Sequence, residues 1–255
     1  MKQITHSAIL RARAWEAMKV TWPTVLALSC AINLVPSVLN QLMIGLPEPV
    51  SMILSVVITA AMMVPMLGVT KGLLGYFRGM PLSFDCVKGM LPYAWKVIRF
   101  YFWEMLCLMG WMLPGGVVMT VGGMLIALGT DGTAIIACGG LLAVAGMVLM
   151  LVLAIRAVMN YSMANCILVD DPDVGAHNAL RKSNAMIRGY RWYYVKVGLP
   201  MFLAILAAAF IVGMLATVLP GWLGTALTTA VTAVSGMMGY YFLPVMYEEL
   251  RRIGR

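Results

Sequence analysis

Few residues in this sequence have both the chemistry and the spacing that a catalytic site requires. The two histidines, His6 and His177, stand far apart in polar segments, which excludes an HExxH zinc motif or a histidine cluster. No GxSxG, P-loop or GxGxxG motif occurs. An intramembrane hydrolase needs a nucleophile with a base, paired aspartates or a metal site at membrane depth. We therefore predict a protein that is not an enzyme and that uses no metal or cofactor.

Three ionisable residues stand close to the long apolar segments: Lys71, Glu104 and Arg156. Counting along the helices places Glu104 and Arg156 at similar depth on antiparallel neighbours. An unpartnered charge in the hydrocarbon costs about 2.5–3.5 kcal/mol. We therefore predict an ion pair between Glu104 and Arg156, which either locks two helices together or has a coupling or gating role.

A cluster of basic residues follows residue 180. Its members are Arg181, Lys182, Arg188, Arg191 and Lys196. Each Lys or Arg near an anionic membrane surface contributes about 1 kcal/mol to binding. We predict that this cluster binds anionic lipid headgroups, or a partner protein, at the cytoplasmic face, and we expect no nucleic-acid partner. The alternative is that these charges only set the topology.

An amphipathic helix predicted over residues 172–189 must position this cluster. The segment 170–173 (DDPD) is a strong helix start, with an acidic cap and Pro172 at the first helical position, and Gly189 provides the stop. At about 100° per residue, one face of this helix is apolar. That face comprises Ala176, Ala179, Leu180, Ser183, Met186 and Ile187. The helix is expected to lie on the membrane or on the cytoplasmic ends of the spans, and residues 7–20 predict a second interfacial helix.

The composition indicates an integral membrane protein. Apolar residues make up 62% and charged residues 11% of the chain, and the mean hydropathy is +0.91, whereas soluble domains average roughly 45–50% apolar and ~25% charged residues. Runs of about 20 apolar residues, enough to cross a bilayer, recur. We predict six transmembrane helices, at about residues 22–46, 50–77, 99–128, 133–162, 194–219 and 223–247.

The distribution of charge predicts the topology. With six spans and a cytoplasmic N-terminus, the outside loops are residues 46–50, 129–133 and 219–222, and none contains Lys or Arg. All 18 basic residues then fall on or near the cytoplasmic side, as the positive-inside rule requires. We predict an all-α, polytopic helix bundle, a single integral membrane domain over residues 1–255, with both termini in the cytoplasm.

Prolines within the first three predicted spans allow a second interpretation, a small transporter or accessory permease. Pro36, Pro65 and Pro114 would mark broken helices around a midplane cavity. Three amide side chains of the first span would line that cavity: Asn33, Asn40 and Gln41. The absence of a midplane charge for ion coupling argues against transport.

The C-terminal half carries a resemblance to a known family. The pieces that carry it are residues 161–163 (YSM), 167–173 (ILVDDPD), 179–183 (ALRKS), 186–192 (MIRGYRW) and 243–250 (LPVMYEEL). The chain resembles a family of bacterial six-span proteins with a domain of unknown function and, more distantly, the membrane domain of some glycerophosphodiesterases. The resemblance implies a multi-pass protein of the bacterial cytoplasmic membrane, and it brings no catalytic residues.

Departures from that family include residues 198–200 (GLP) and a small, Ala-rich fifth span. A third interpretation, an enzyme of lipid metabolism, is supported only by the distant resemblance. Besides membrane lipids, the expected partners are a second protein or further copies of this chain.

Overall fold

The structure, a computed structural model, describes residues 5–43, 45, 47–129, 133–218 and 221–254, without some of the side chains in α1, α8 and α9. All regular structure in these ranges is helical. The α-helices are α1 (Ser7–Leu42), α2 (Glu48–Phe77), α3 (Asp85–Lys88), α4 (Ala94–Leu128), α5 (Thr133–Tyr161), α6 (Ala164–Asp170), α7 (Ala176–Ile187), α8 (Arg191–Val218) and α9 (Gly221–Gly254).

Four helical segments within the described residues are long and apolar enough to cross a membrane. They are Glu48–Phe77, Asp85–Leu128, Thr133–Asp170 and Arg191–Leu215. Each exceeds the ~20 residues that a span requires, and each leaves most of its surface uncovered by protein. These helices suggest a membrane protein, because exposing so many apolar side chains to water would be energetically unfavourable.

The chain forms two compact units. The larger, Met1–Arg99 with Met163–Arg255, is called the main unit below, and the smaller, Phe100–Ser162, is called the hairpin unit. In the main unit α9 contacts α1, α2 and α8, and α1 also contacts α2 and α8. The packed face of α1 recurs every three or four residues, as helical geometry requires. Its buried members are Leu10, Ala14, Ala17, Thr21 and Val25.

α1 runs without interruption from Ser7 to Leu42. The interfacial helix predicted over residues 7–20 is therefore not a separate element. Pro23 and Pro36 lie inside the helix, so neither proline ends it. The hydroxyl groups of Thr21 and Tyr241 hydrogen-bond at 2.7 Å, which joins α1 to α9 in the middle of the buried face.

α7 carries the predicted apolar face. Ala176, Ala179, Leu180, Ser183 and Ile187 are buried, and α7 contacts α6 and α9. Its apolar side is thus covered by protein. Of the two expected positions, the helix takes the one on neighbouring helices.

The start of α7 differs from the prediction. The helix begins at Ala176, with Gly175 at the N-cap position, and not at residue 172. Asp171, which with Pro172 at the first helical position would be the cap, instead lies at the C-terminal end of α6, where its backbone N–H donates to the Ile167 carbonyl at 3.0 Å. The predicted stop is confirmed: Gly189 has a φ of +99°, which a residue without Cβ adopts readily.

The hairpin unit consists of α4 from residue 100 onward, and α5. Glycines bring the two helix backbones into contact. A Cβ atom at Gly115 would lie 2.5 Å from the Met150 backbone, and Cβ atoms at Gly122 and Gly146 would overlap the backbones of Ala143 and Met119. This close approach is the packing that small residues allow in membranes.

Candidate functional site

A network of ion pairs joins three helix ends in the main unit. Arg78, directly after α2, contacts Asp170 at the end of α6 and Glu248 in α9, each at 2.6 Å. Arg251, one turn after Glu248, reaches Asp170 at 2.8 Å. The Tyr247 hydroxyl donates a hydrogen bond to the second oxygen of Asp170 at 2.9 Å. Asp170 is therefore the centre of the network, with three donors on one carboxylate.

The alternation of charges explains why the network is stable. The side chains of Asp170, Arg78 and Glu248 are 15%, 32% and 30% exposed, so water screens the attraction only in part. Partial burial lowers the pKa of the Arg78 guanidinium, but hydrogen bonds to Asp170 and Glu248 outweigh it and raise that pKa overall. Arg78 is thus held in its charged form between two carboxylates.

A second polar cluster joins the N-terminal segment to α9. The carboxylate of Glu249, which is only 3% exposed, accepts hydrogen bonds from the Thr5 backbone N–H at 3.0 Å and from Arg252 at 2.8 Å. Arg252 also donates to the Thr5 hydroxyl, and the Tyr193 hydroxyl donates to the Thr5 carbonyl. Burial raises the pKa of Glu249, but the hydrogen bonds from Thr5 and Arg252 outweigh it and lower that pKa.

A cleft of about 1250 Å³ lies beside these two clusters, entirely within the main unit. The N-terminal part of α1, the end of α2 and the end of α9 form its walls. Four arginines line it: Arg13, Arg78, Arg251 and Arg252. Three glutamates line it as well: Glu16, Glu248 and Glu249. A volume above the roughly 300–1,000 Å³ of ordinary ligand pockets leaves room for a large ligand.

Sequence reasoning missed this cleft because its charged residues come from segments that are far apart along the chain. Arg78 and Arg251 count only as topology signals when the sequence is considered alone. The one local signal is the dense run of charge over residues 248–252 (EELRR), which follows the last predicted span. Basic residues alone are enough to set the orientation of a span. The two acids in this run therefore indicate a further role, such as ion pairing.

The predicted basic residues lie on the outside of the main unit. Arg181 and Lys182 are exposed on α7, and Arg188 is exposed directly after it. Lys196 is exposed on α8, and Arg191 is half-buried. Among the described residues, Arg181, Lys182, Arg188 and Lys196 take part in none of the ion pairs. No acidic residue of the described chain therefore neutralises these four charges in an ion pair.

The structure does not form the predicted ion pair between Glu104 and Arg156: within the described residues, neither side chain takes part in a salt bridge. The Arg156 guanidinium lies over the Trp111 ring, 5.8 Å from its centroid, in a cation–π contact. The glycine contacts of the hairpin unit show why. In the shortest contacts, those of Gly115 with Met150, Gly122 with Ala143 and Gly146 with Met119, the two residue numbers add to 265. The residue level with Arg156 is therefore Met109, and Glu104 lies about 7.5 Å away along the axis.

The three amide residues predicted to line a cavity belong to α1. The side chains of Asn33, Asn40 and Gln41 lie outside the described residues. Pro65 and Pro114, which were expected to mark broken helices, stand inside the continuous helices α2 and α4. The five cysteines are free thiols, and of these Cys166 is buried whereas Cys138 is exposed.

Comparisons with known proteins found no protein-family model, no curated protein and no solved structure that matches this chain. The resemblance of the C-terminal half to a bacterial six-span family therefore stays a prediction.

Proposed function

We propose that this chain is a non-enzymatic, six-span protein of the bacterial cytoplasmic membrane that binds anionic lipid headgroups at its cytoplasmic face. The proposed site is the group of predicted basic residues, called the basic surface below. Its members are Arg181, Lys182, Arg188, Arg191 and Lys196. In this topology both termini lie in the cytoplasm.

The observation that carries the proposal is uncompensated positive charge on an outward face. Four acids of the main unit pair with other basic residues, and therefore do not neutralise the basic surface: Asp170, Asp173, Glu248 and Glu249. The sequence contains no acidic residue between Asp173 and Glu248. With a net charge of +8, the chain attracts anions. Four members of the basic surface, Arg181, Lys182, Arg188 and Lys196, are exposed and take part in no ion pair within the described residues.

The position of the surface favours a lipid headgroup over a protein partner. Trp192, at the start of α8, is 78% exposed, and tryptophans are enriched at the membrane–water interface. Beyond it α8 presents exposed apolar side chains, including Phe202 and Leu203. The adjacent Arg188 and Arg191 then stand at headgroup level, where an anionic phosphate is within reach.

A titration with two lipids tests the proposal. Detergent-purified wild-type chain and the variant Arg181→Gln/Lys182→Gln are titrated with phosphatidylglycerol and phosphatidylcholine, and native mass spectrometry measures the bound lipid. We expect the variant to bind phosphatidylglycerol roughly 30-fold more weakly, because each removed charge contributes about 1 kcal/mol. Phosphatidylcholine binding should change little.

The matched control is Lys19→Gln/Lys88→Gln, which removes the same charge from exposed positions outside the basic surface. The control should keep most of the wild-type affinity for phosphatidylglycerol. Equal weakening in the two double variants would contradict a specific site. Copurification of a protein that is lost with Arg181 and Lys182 would instead indicate a protein partner.

A further inference from the structure

Two of the charged residues that line the cleft differ from the rest. Arg78, Arg251 and Arg252 are paired with carboxylates. Glu248 and Glu249 are paired with arginines. Within the described residues, Arg13 and Glu16 take part in no ion pair, either with each other or with another residue. Both are exposed. Among the described residues that line the cleft, Arg13 and Glu16 are therefore a cation and an anion that no ion pair occupies.

The spacing of these two groups limits the ligand that suits them. Arg13 and Glu16 stand three residues apart on α1, which places their Cβ atoms about 5–6 Å apart on the same side of the helix. A ligand with an anion and a cation joined by a short link would contact both. An anion alone would meet Arg13 but would also face the carboxylate of Glu16, which repels it.

Apolar side chains also line the cleft, so a ligand that fills it needs an apolar part as well as the two charges. Val20 and Met80 line the cleft and are 69% and 56% exposed, and the half-buried Phe77 contributes further apolar surface. The apolar lengths of α1 and α2 lead away from this end of the molecule. The cleft thus occupies the place where charged helix ends meet apolar helix surface, which is the depth of a lipid headgroup.

We propose that the cleft binds a phosphoethanolamine group, the zwitterionic headgroup of phosphatidylethanolamine. Arg13 contacts the phosphate, with Arg252 as a second donor, since its side chain is 61% exposed. Glu16 accepts a hydrogen bond from the ammonium group. The hydrocarbon of the lipid then lies along Val20 and Met80. This site does not depend on the basic surface proposed above.

The test measures lipid selectivity in the full-length chain. Delipidated protein in detergent is titrated with phosphatidylethanolamine, phosphatidylglycerol and soluble glycerophosphoethanolamine, and native mass spectrometry measures each affinity. We expect Glu16→Gln to weaken phosphatidylethanolamine binding about tenfold, because a charged hydrogen bond is lost, and to leave phosphatidylglycerol binding unchanged. Arg13→Gln should weaken phosphatidylethanolamine binding by a similar factor.

Glu48→Gln is the matched control, because Glu48 is an exposed acid at the other end of α2, and it should behave as wild type. Unchanged phosphatidylethanolamine affinity in Glu16→Gln, or equal losses in Glu16→Gln and Glu48→Gln, would overturn the proposal. In the same titration, phosphatidylglycerol affinity tests the basic surface and phosphatidylethanolamine affinity tests the cleft. A result that contradicts one proposal therefore leaves the other in place.

The soluble compound identifies the source of the headgroup. Binding of phosphatidylethanolamine without binding of glycerophosphoethanolamine supports a membrane lipid as ligand. Equal affinity for both, still dependent on Glu16, supports the same chemistry with a free headgroup as ligand.

Discussion

Asp170 is the residue on which the polar end of the main unit depends most. It accepts from Arg78, Arg251 and Tyr247, and these donors belong to two other parts of the chain. Removing its charge leaves Glu248 as the one carboxylate that the two guanidinium groups share among the described residues, at 2.6 Å from Arg78 and 4.0 Å from Arg251. The repulsion between the two cations is then compensated less, and the charged hydrogen bonds to Asp170 are lost.

We expect Asp170→Asn to lower the free energy of unfolding by about 2 kcal/mol, less than for a fully buried pair because the network is partly exposed. Thermal unfolding in detergent, followed by fluorescence, measures the change. The control is Asp173→Asn. Asp173 is 91% exposed and pairs with Lys96 alone, so its loss should change stability by about 0.5 kcal/mol or less. Equal effects of the two substitutions would contradict a central role for Asp170.

At the scale of the elements, each pair of adjacent glycines in α4 and α5 has one member that faces the other helix and one that faces away from it. Gly115, Gly122 and Gly139 stand against the opposite helix, whereas a Cβ atom at Gly116 or Gly123 would meet nothing within 4 Å. One member of each pair is needed for contact, because the helical period turns the next residue away by about 100°. The sequence indicates close packing at these pairs, but not which glycine supplies it.

This division predicts opposite outcomes for two neighbouring substitutions. Gly122→Ala should destabilise the hairpin unit by about 1–3 kcal/mol, because its Cβ atom would overlap the Ala143 backbone. Gly123→Ala should leave stability unchanged or raise it by up to about 1 kcal/mol, since alanine is the better helix former. Thermal unfolding of the two variants in detergent checks both. A greater loss for Gly123→Ala would contradict the helix contact described here.

At the scale of the whole chain, the first and last described segments are in contact. The backbone N–H of Thr5 lies 3.0 Å from the carboxylate of Glu249, and Arg252 reaches the Thr5 hydroxyl at 2.9 Å. Both ends of the described chain therefore lie on the same side of the main unit. An even number of membrane crossings supplies that arrangement, as the proposed topology with both termini in the cytoplasm requires.

Cysteine labelling in intact cells tests the topology. In a variant without the five native cysteines, Glu48→Cys should react with a membrane-impermeant maleimide, because the turn after α1 is proposed to face outward. Asp173→Cys is the matched control, exposed at the opposite end, and should react only after the membrane is permeabilised. Labelling of Asp173→Cys from outside would contradict a cytoplasmic position for the basic surface.

Several features follow from the sequence because they rest on local periodicity. The apolar face of α7 is predicted at the positions that are buried, and Gly189 is predicted as its end, since a helix repeats every 3.6 residues wherever it lies. The long apolar helices follow from composition in the same way. The start of α7 does not follow, because Asp171, the predicted cap, lies at the C-terminal end of α6 instead, and its backbone carbonyl accepts a hydrogen bond from Val174 in the turn that precedes α7.

The sequence by itself determined that this chain is helical and suited to a membrane, and that α7 has one apolar and one basic face. Only the tertiary structure decided that Arg156 contacts Trp111 instead of Glu104, because a shift of a few residues in the register of two helices cannot be read from either helix alone. It also decided that Arg13 and Glu16 face a cleft beside Arg251 and Arg252. Those residues are more than 200 positions apart in the sequence, and only packing of α1 on α9 brings them together.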